Sequence, residues 1–550
     1  MFIYFSLIMS KLDVLRSENR FLQDKEILLK VDASKIISKT DEIWSCFTMD
    51  WWPPSKCDYG YCSWYNNSLI NVDLSNKMIR NAILEFKGNA HLRLGGSLGD
   101  FVIYNIDNVD GFCNYEDFSE PTNATHAGYE FFSGCLNQTR WSQLNEFVSQ
   151  TNLSMIFGID ALFGRTLPGP CPEGTNCRFK ESGQTYPACC TNWTGQWDHT
   201  NAEALIRYTH SQKYPIYAWE LGNELAGEKG IDAHISVKDY SVDWMTFIAL
   251  LDKVYGDNNR PKVVVPDTTW MNDWFGSFLS LLDPSLKPDI VTHHLYSLGA
   301  GSDPNVWTKT IDASYLDKIY DLAEEVQTVV NKASPASSIW LGEAGGAYNS
   351  GRDNVTNSFN SGFWYLDQMA IFAARGHGAY CRQTLVGGHY SLLDYFSYEP
   401  NPDYYNLLLW SRLMGSNVLE TSSSNSGILR AYAHCTRERP GAVTLLLINL
   451  SNSSSVTIAE LNIKPIGNVL SFGNREEYIL SSAAAVWSSD ELEILQSKQM
   501  LLNGNLLKVD NFIIPTLNPR VVSNAPNSIA MNLLTYGYFV FPDAGAQICL

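Results

Sequence analysis

Two glutamates stand where chemistry is most easily built. The run Tyr217–Leu221 is apolar and aromatic apart from Glu220, and it stops at Gly222, Asn223 and Glu224. A second short run, Ser338–Leu341, stops at Gly342 and Glu343. A buried strand that ends this way delivers its carboxylate to a site beyond the strand end. Two such groups suit a reaction in which one carboxyl protonates a leaving oxygen while the other attacks, or activates water, at an acetal carbon. Glu224 is the candidate general acid/base and Glu343 the candidate nucleophile. On opposite walls of one mouth they would have the short separation, about 5–5.5 Å, of a retaining glycosidase. Glu220 lies inside its strand and reads as structural. His294 and Tyr296 alternate on one face of another run, where Tyr296 could donate a hydrogen bond to Glu343. The pair His293–His294 raises the question of a metal. A third ligand at helical or hairpin spacing is missing, so the site reads as metal-free and cofactor-free.

Such groups need a frame, and the chain supplies one. Short apolar runs alternate with amphipathic helical patterns, the signature of a β/α architecture. Eight strands are predicted: 44–49, 91–94, 155–159, 216–221, 262–265, 290–295, 339–341 and 379–385. Helical periodicity fills most gaps, for example 141–151, 242–254 and 315–332. Eight such units fit a (β/α)₈ TIM barrel spanning 43–414, closed by a helix over 404–414 with Gly415 as its C-cap. A doubly wound sheet competes, but no glycine-rich dinucleotide fingerprint opens a helix. Polar residues fall repeatedly at the strand ends: Asp50, Ser97, Asp160, Asn223, Glu224, His293, His294, Tyr296, Glu343 and Gln383. From 415 to 550 short strands are separated by Ser, Asn, Gly and Pro turns, which predicts an all-β sandwich domain. The strand within 27–42 has no slot in the barrel and is expected to join that sandwich. Residues 1–26 form a poorly specified lead, whose short apolar start resembles a degenerate signal.

Composition bounds the partners. The 550 residues carry 39 basic and 58 acidic side chains, a net charge of −19. That field repels polyanions and excludes nucleic acid as a natural partner. There is no apolar run long enough to cross a membrane. Twelve cysteines, none in a C-x-x-C pair, cluster as Cys57/Cys62, Cys113/Cys135 and Cys171/Cys177/Cys189/Cys190. These groups read as disulfides of an oxidising compartment. Sequons at Asn66, Asn123, Asn137, Asn152, Asn192, Asn354, Asn449 and Asn452 agree with a secreted glycoprotein of the extracellular space or cell wall, or of a vacuole- or lysosome-like compartment. Oligomeric state is not written in the sequence.

Several strings carry a family resemblance. They are TMDWWPP from Thr48, LRLGGS from Leu92, WELGNE from Trp219, HLY from His294, WLGE from Trp340, and Arg382–Gln383 followed by Tyr390. The chain from about residue 27 resembles glycoside hydrolase family 79, the heparanase-like β-glucuronidases, and most closely its plant branch; YGYF from Tyr536 resembles the family's last strands. The resemblance implies a retaining double displacement with Glu224 as acid/base and Glu343 as nucleophile. It implies that Asn223 binds the sugar 2-hydroxyl and that Asp50 and Ser97 bind other hydroxyls. Tyr348, the backbone of Asn349, Ser350 and Gly351, Gln383 and Tyr390 would hold the glucuronate and its carboxylate, within reach of His294 and Tyr296. It also implies a Cys435–Cys549 disulfide. Two departures from the animal branch point away from heparan sulfate: Asn349-Ser350-Gly351 replaces three glycines, so that side chains intrude beside the sugar, and no lysine cluster or excised linker is present. A glucuronide on an arabinogalactan-type glycan, or on a small aglycone, suits this chain better. The alternatives are a retaining β-glycosidase for a neutral sugar and a catalytically silent glycan-binding protein.

Overall fold

The computed structural model describes residues 25–106, 134–166, 180–181, 184–185, 192–226, 233–256, 259–464 and 473–550. The lead before Lys25, the sequon at Asn123, and Cys113, Cys171, Cys177, Cys189 and Cys190 lie outside them.

The first strand, β1 (Lys25–Lys39), precedes the barrel. Eight parallel strands then close on themselves: β2 (Ser45–Asp50), β3 (His91–Gly95), β4 (Ser154–Ile159), β5 (Ala218–Leu221), β6 (Lys262–Thr269), β7 (Ile290–His294), β8 (Ser338–Ala344) and β9 (His377–Arg382). Each pairs with its chain neighbours, and β9 pairs with β2 to complete the ring. β2, β3 and β9 are buried along their whole length, as strands covered on both sides must be. Helices cover the outside through periodic apolar stripes. In Lys318–Ala333 the buried residues are Ile319, Ala323, Val326 and Val330.

Alternation along the strands stacks the interior in layers. The lowest is apolar: Ile156, Ala218, Val264, Ile290, Trp340 and Ala379 pack together. Two positions further along, the same faces carry Glu220, Thr292 and Gly342, joined by Arg93 from β3. The barrel therefore changes from an apolar plug to a charged layer one pleat below its carboxyl end.

Apart from three two-stranded ribbons, the remaining described strands form one hydrogen-bonded, eleven-stranded sheet beside the barrel. β1 joins it as expected, antiparallel to β10 (Met414–Ser423) and parallel to Val456–Lys464. The sheet's two faces alternate along its central strands, with bulges shifting the register in β1 and β10. Leu446, Ile448, Tyr536 and Tyr538 pack onto the barrel, while Leu445, Leu447, Phe539 and Phe541 line a second core with Leu29 and Val31. The sandwich-like core is thus enclosed by one continuous sheet.

Three details differ from, or add to, the sequence reading. Gly415 is not a helix cap. The last barrel helix ends at Leu413, and Gly415 lies inside β10, where a Cβ would come within 2.4 Å of the Cys435 carbonyl oxygen. Its role is close backbone approach rather than a left-handed turn. Disulfides join Cys57 to Cys62 and Cys435 to Cys549, the latter as the resemblance implied, and Cys135 is also disulfide-bonded. A third, Cys46–Cys381, was not foreseen, because its partners are 335 residues apart and meet only when β9 closes against β2.

Candidate active site

The site is built upward from Arg93. This side chain is 1 % exposed in the charged layer, and every guanidinium nitrogen is used. Its Nε donates to Glu220 (3.1 and 3.2 Å). One terminal nitrogen donates to Glu343 Oε2 (2.9 Å). The other reaches Glu220 (2.9 Å), Asn223 Oδ1 (2.7 Å) and Asp267. Burial opposes its charge, but Asp267, Glu220 and Glu343 outweigh that and raise the guanidinium well above its ordinary value. Burial raises Glu220 well above the carboxylate range despite Arg93. Asp267 is buried too, but Arg93 and His294 hold it well below that range, so Asp267 carries the charge of the pair.

Above this layer sit the two candidate carboxylates. Glu224 follows a left-handed Gly222 (φ 69°) and is itself left-handed (φ 55°). Such a conformation in a non-glycine residue is costly and is found where the surrounding structure enforces it. Here the Glu224 amide is tied to the Asp267 carbonyl (2.9 Å). The residue before Glu343 must be glycine, because a Cβ on Gly342 would lie 2.3 Å from Asp267 Oδ1. His294 stands between the acids, fully buried. Its Nδ1 lies 2.9 Å from Glu224 Oε1 and 3.9 Å from Glu343 Oε2, and its Nε2 lies 3.0 Å from Asp267 Oδ1. Burial works against its protonation, yet Asp267 and Glu343 raise it well above its usual value, so it is an imidazolium. The Tyr296 hydroxyl donates to the other oxygen of Glu343. Ligand atoms of Glu224, His294 and Glu343 all lie within 4.8 Å of one another. These three have the donor types of a metal site that sequence spacing did not reveal. Both ring nitrogens of His294 already face carboxylates, and Arg93 and Tyr296 already serve Glu343, so the cluster is charge-matched by the chain's own cations.

One wall continues from these acids through Asn223. Its amide donates to Asp100 Oδ2 (2.7 Å), its Oδ1 accepts from Arg93, and its buried Nδ2 has no protein partner. Burial pushes Asp100 up to about 7, against the two amide hydrogen bonds it accepts from Ala161 and Asn223.

The opposite wall is Asp50, Gln383 and Tyr390. Gln383 accepts from Thr48 through its carbonyl and donates to Asp50 Oδ2 (2.7 Å) and towards the Tyr390 hydroxyl (3.5 Å). Arg382 places Tyr390 by donating twice to its carbonyl (3.1 and 2.9 Å). Burial, and then the charge of Glu343, push Asp50 up to about 8. A Cβ on Gly345 would strike Tyr390 and Tyr296, so these phenols bracket the nucleophile. Asn349, Ser350 and Gly351 are all left-handed (φ 56°, 63° and 76°), a backbone turned as a nest beside Tyr390. The Ser350 side chain does not intrude. Its hydroxyl donates to Asp58 and accepts from Trp64 Nε1 (2.9 Å), turned away into a buried corner. Tyr348 stands half-exposed at the rim, and Ser97 is half-buried at the start of a short turn after β3.

The structure therefore brings Asp50, Asn223, Glu224, His294, Tyr296, Glu343, Gln383 and Tyr390 into one connected site. Sequence reasoning missed Arg93, Asp100 and Asp267. Arg93 did leave a signal, as a lone charge inside an apolar strand. Of the sequons, Asn449 is corrected: it is fully buried in the sheet, its Nδ2 donating to the Asn532 carbonyl (2.8 Å). A glycan cannot be carried there. Asn66, Asn152, Asn192, Asn354 and Asn452 are exposed, and Asn137 is half-buried as a helix cap.

Comparison with known proteins places this geometry. The profile described as Glycosyl hydrolase family 79, N-terminal domain, matches residues 26–370. Heparanase-like protein 1 of Arabidopsis thaliana is 37% identical over 96% of this chain and 95% of its own length. Baicalin-beta-D-glucuronidase of Scutellaria baicalensis is 36% identical over 91% and 90%. Among solved structures, a 4-O-alpha-L-rhamnosyl-beta-D-glucuronidase from Fusarium oxysporum superposes with a TM-score of 0.57 at 13% identity, covering 94% of this chain and 100% of its own. A GH51 arabinofuranosidase from Xanthomonas axonopodis pv. citri gives 0.58 at 12%, covering 94% and 99%. At such identities these two show a shared fold.

Proposed function

We propose that this chain, which belongs to glycoside hydrolase family 79, is a retaining β-glucuronidase. The observation that carries the mechanism is that one carboxylate oxygen of Glu224 and one of Glu343 lie within 4.8 Å of each other. An inverting enzyme needs about 6.5–9.5 Å between carboxyls to admit the attacking water. Here Glu343, held by Arg93 and Tyr296, attacks the anomeric carbon as Glu224 gives its proton to the leaving oxygen. A glycosyl–Glu343 ester forms and the aglycone departs. Glu224 then removes a proton from water, which attacks the same carbon and releases Glu343 with the starting configuration. His294 beside Glu224 supplies a fixed positive charge to the carboxylate during this exchange. Asn223 Nδ2 is placed to donate to the 2-hydroxyl.

The sugar's own carboxylate is assigned to the wall of Tyr390, Gln383 and the 349–351 amides, supported by the baicalin-glucuronidase relative. Neutral donors can bind an anion without a buried cation. Small glucuronides and arabinogalactan-type glycans are the substrate classes proposed. A secretory destination is proposed too, supported by the disulfides and exposed sequons.

Azide tests the roles. It should rescue Glu343→Ala with inverted product and Glu224→Ala with retained product; the reverse assignment of products would overturn the mechanism. Tyr390→Phe should impair glucuronide turnover far more than glucoside turnover. Equal losses would remove the carboxylate assignment and favour a neutral glycoside.

A further inference from the structure

The tyrosines of the YGYF string lie outside the barrel, yet their hydroxyls begin a line of polar contacts that ends at the sugar wall. In the strand Thr535–Phe541, Tyr536 and Tyr538 are fully buried on the barrel side of the sheet. Tyr538 donates to the Asn406 carbonyl (3.0 Å). Tyr536 donates to the Phe359 carbonyl (3.3 Å) and accepts from Asn406 Nδ2 (3.4 Å). The barrel leaves room for it: a Cβ on Gly362 would strike the Tyr536 hydroxyl, so the helix Ser361–Ala374 carries glycine at its second position.

From Asn406 the contacts run inward. Its Nδ2 also donates to Asp403 Oδ1 (3.1 Å), one turn earlier in the last barrel helix, Pro402–Leu413. Asp403 Oδ2 lies 2.9 Å from a terminal nitrogen of Arg382, a contact of charges without hydrogen-bond alignment. Both groups are buried. Arg382, at the end of β9, packs its guanidinium over the rings of Tyr365 and Trp364 (4.6 and 5.3 Å). Its other nitrogens hold the wall. Besides the Tyr390 carbonyl, it donates to the Thr356 carbonyl (3.0 Å), and Thr356 Oγ1 donates to the His389 carbonyl (2.9 Å). One guanidinium thus ties Tyr390 to the segment that follows the left-handed turn at 349–351.

A buried ion pair is an inefficient way to stabilise an interface, since well-packed apolar residues of similar volume often do as well or better. What a connected polar network supplies is one geometry. We propose that Asp403 is a positioning residue. Held by Asn406 and Tyr536, it fixes Arg382, and through Arg382 the Tyr390 phenol and the 349–356 segment, whose amides are assigned to the sugar's carboxylate. The sheet then takes part in recognising an acidic sugar that it does not touch. This rests on the glucuronidase reading of the pocket.

Asp403→Asn keeps the shape and removes the charge, and Tyr536→Phe removes one hydroxyl. With a nitrophenyl β-glucuronide, Asp403→Asn should raise KM about tenfold and leave kcat within about threefold. In a Tyr390→Phe background the same substitution should raise KM by less than about threefold, because both changes act on one phenol. A loss confined to kcat, an unchanged KM, or the full effect in the Tyr390→Phe background would overturn the proposal. Hydrogen exchange without substrate is the second arm. Asp403→Asn should speed amide exchange about tenfold in peptides covering 349–356 and 388–392, while β4 and β5 stay as protected as in wild type. Unchanged exchange in those peptides, or faster exchange throughout the barrel, would overturn it too. Should Asp403→Asn fail to fold, Tyr536→Phe carries both arms, with about threefold effects expected and no effect overturning the proposal. Absence of glucuronide turnover by wild-type protein would refute the glucuronidase reading, and exchange alone would then decide whether Asp403 positions this wall.

Discussion

Asp50 offers the sharpest test of the site's electrostatics. It is 2 % exposed, accepts a hydrogen bond from Gln383, and is pushed up to about 8 by burial and by the charge of Glu343. In an unfolded chain an aspartate ionises near 3.9. Between those values the unfolded chain has released the proton and the folded chain has kept it. Stability therefore falls as pH rises through this window, and the cost stops growing once pH exceeds the folded value. Each unit corresponds to about 1.4 kcal/mol, so from pH 5 to pH 8 the Asp50 contribution worsens by roughly 4 kcal/mol. Asn is nearly the same shape and carries no such proton. Asp50→Asn should melt close to wild type at pH 5 and several degrees above it at pH 8.5, read by scanning calorimetry or denaturant titration at both values. A difference between variant and wild type that stays constant across the range would mean that Asp50 ionises normally. The desolvation argument for this wall would then be wrong.

Removing the Tyr296 hydroxyl deletes a hydrogen bond to a charged nucleophile, worth about 1.5–3 kcal/mol, so Tyr296→Phe should lower kcat by roughly 10- to 100-fold; a change confined to KM would refute its role on Glu343. Arg93→Met strips Glu220, Asp267 and Glu343 of the guanidinium they share and should destabilise the fold by about 3–5 kcal/mol, measured by urea unfolding. Glycopeptide mass spectrometry of secreted protein should find Asn449 unmodified while exposed sequons such as Asn66 and Asn354 carry glycan; a glycan on Asn449 would contradict its buried position. On the proposed function, KM for a glucuronide should rise between pH 7 and pH 9 as Asp50 ionises, and Asp50→Asn should abolish that rise.

Much of this was legible beforehand. The barrel follows from apolar runs that end in polar residues, and the two glutamates follow from the glycines before them. Period-2 alternation also predicts that a strand before the barrel must find another sheet. The hidden part is what links residues distant along the chain. Arg93 shows as an oddity in LRLGGS, yet its partners Glu220, Asp267 and Glu343 sit on three other strands, and only ring closure brings them together. Asp267 lies within β6 at an irregularity in its pairing between Val265 and Thr268, which apolar periodicity does not register. Gly415 was misread because a glycine after a helix more often caps it than admits a neighbouring backbone. The sequon at Asn449 is a local string, blind to the sheet that buries it.

The layers also explain how a chain of net charge −19 can be suited to an acidic sugar. A cation at the sugar would be the obvious device, but the two cations of the site are spent below it. Arg93 gives every nitrogen to Glu220, Asn223, Asp267 and Glu343, and His294 faces Glu224 and Asp267. What remains for an anion on the β9 wall is uncharged: the Gln383 amide, a Tyr390 phenol that burial keeps neutral, left-handed amides, and an Asp50 that stays protonated below about pH 8. Ionising Asp50 would set two negative charges side by side. At about 6 Å and an effective dielectric constant of about 20 the repulsion is roughly 3 kcal/mol, or about a hundredfold in affinity. On the proposed function, selectivity for the acidic sugar and a preference for acidic conditions would have one physical origin. The same burial that keeps Asp50 neutral keeps the wall open to an anion.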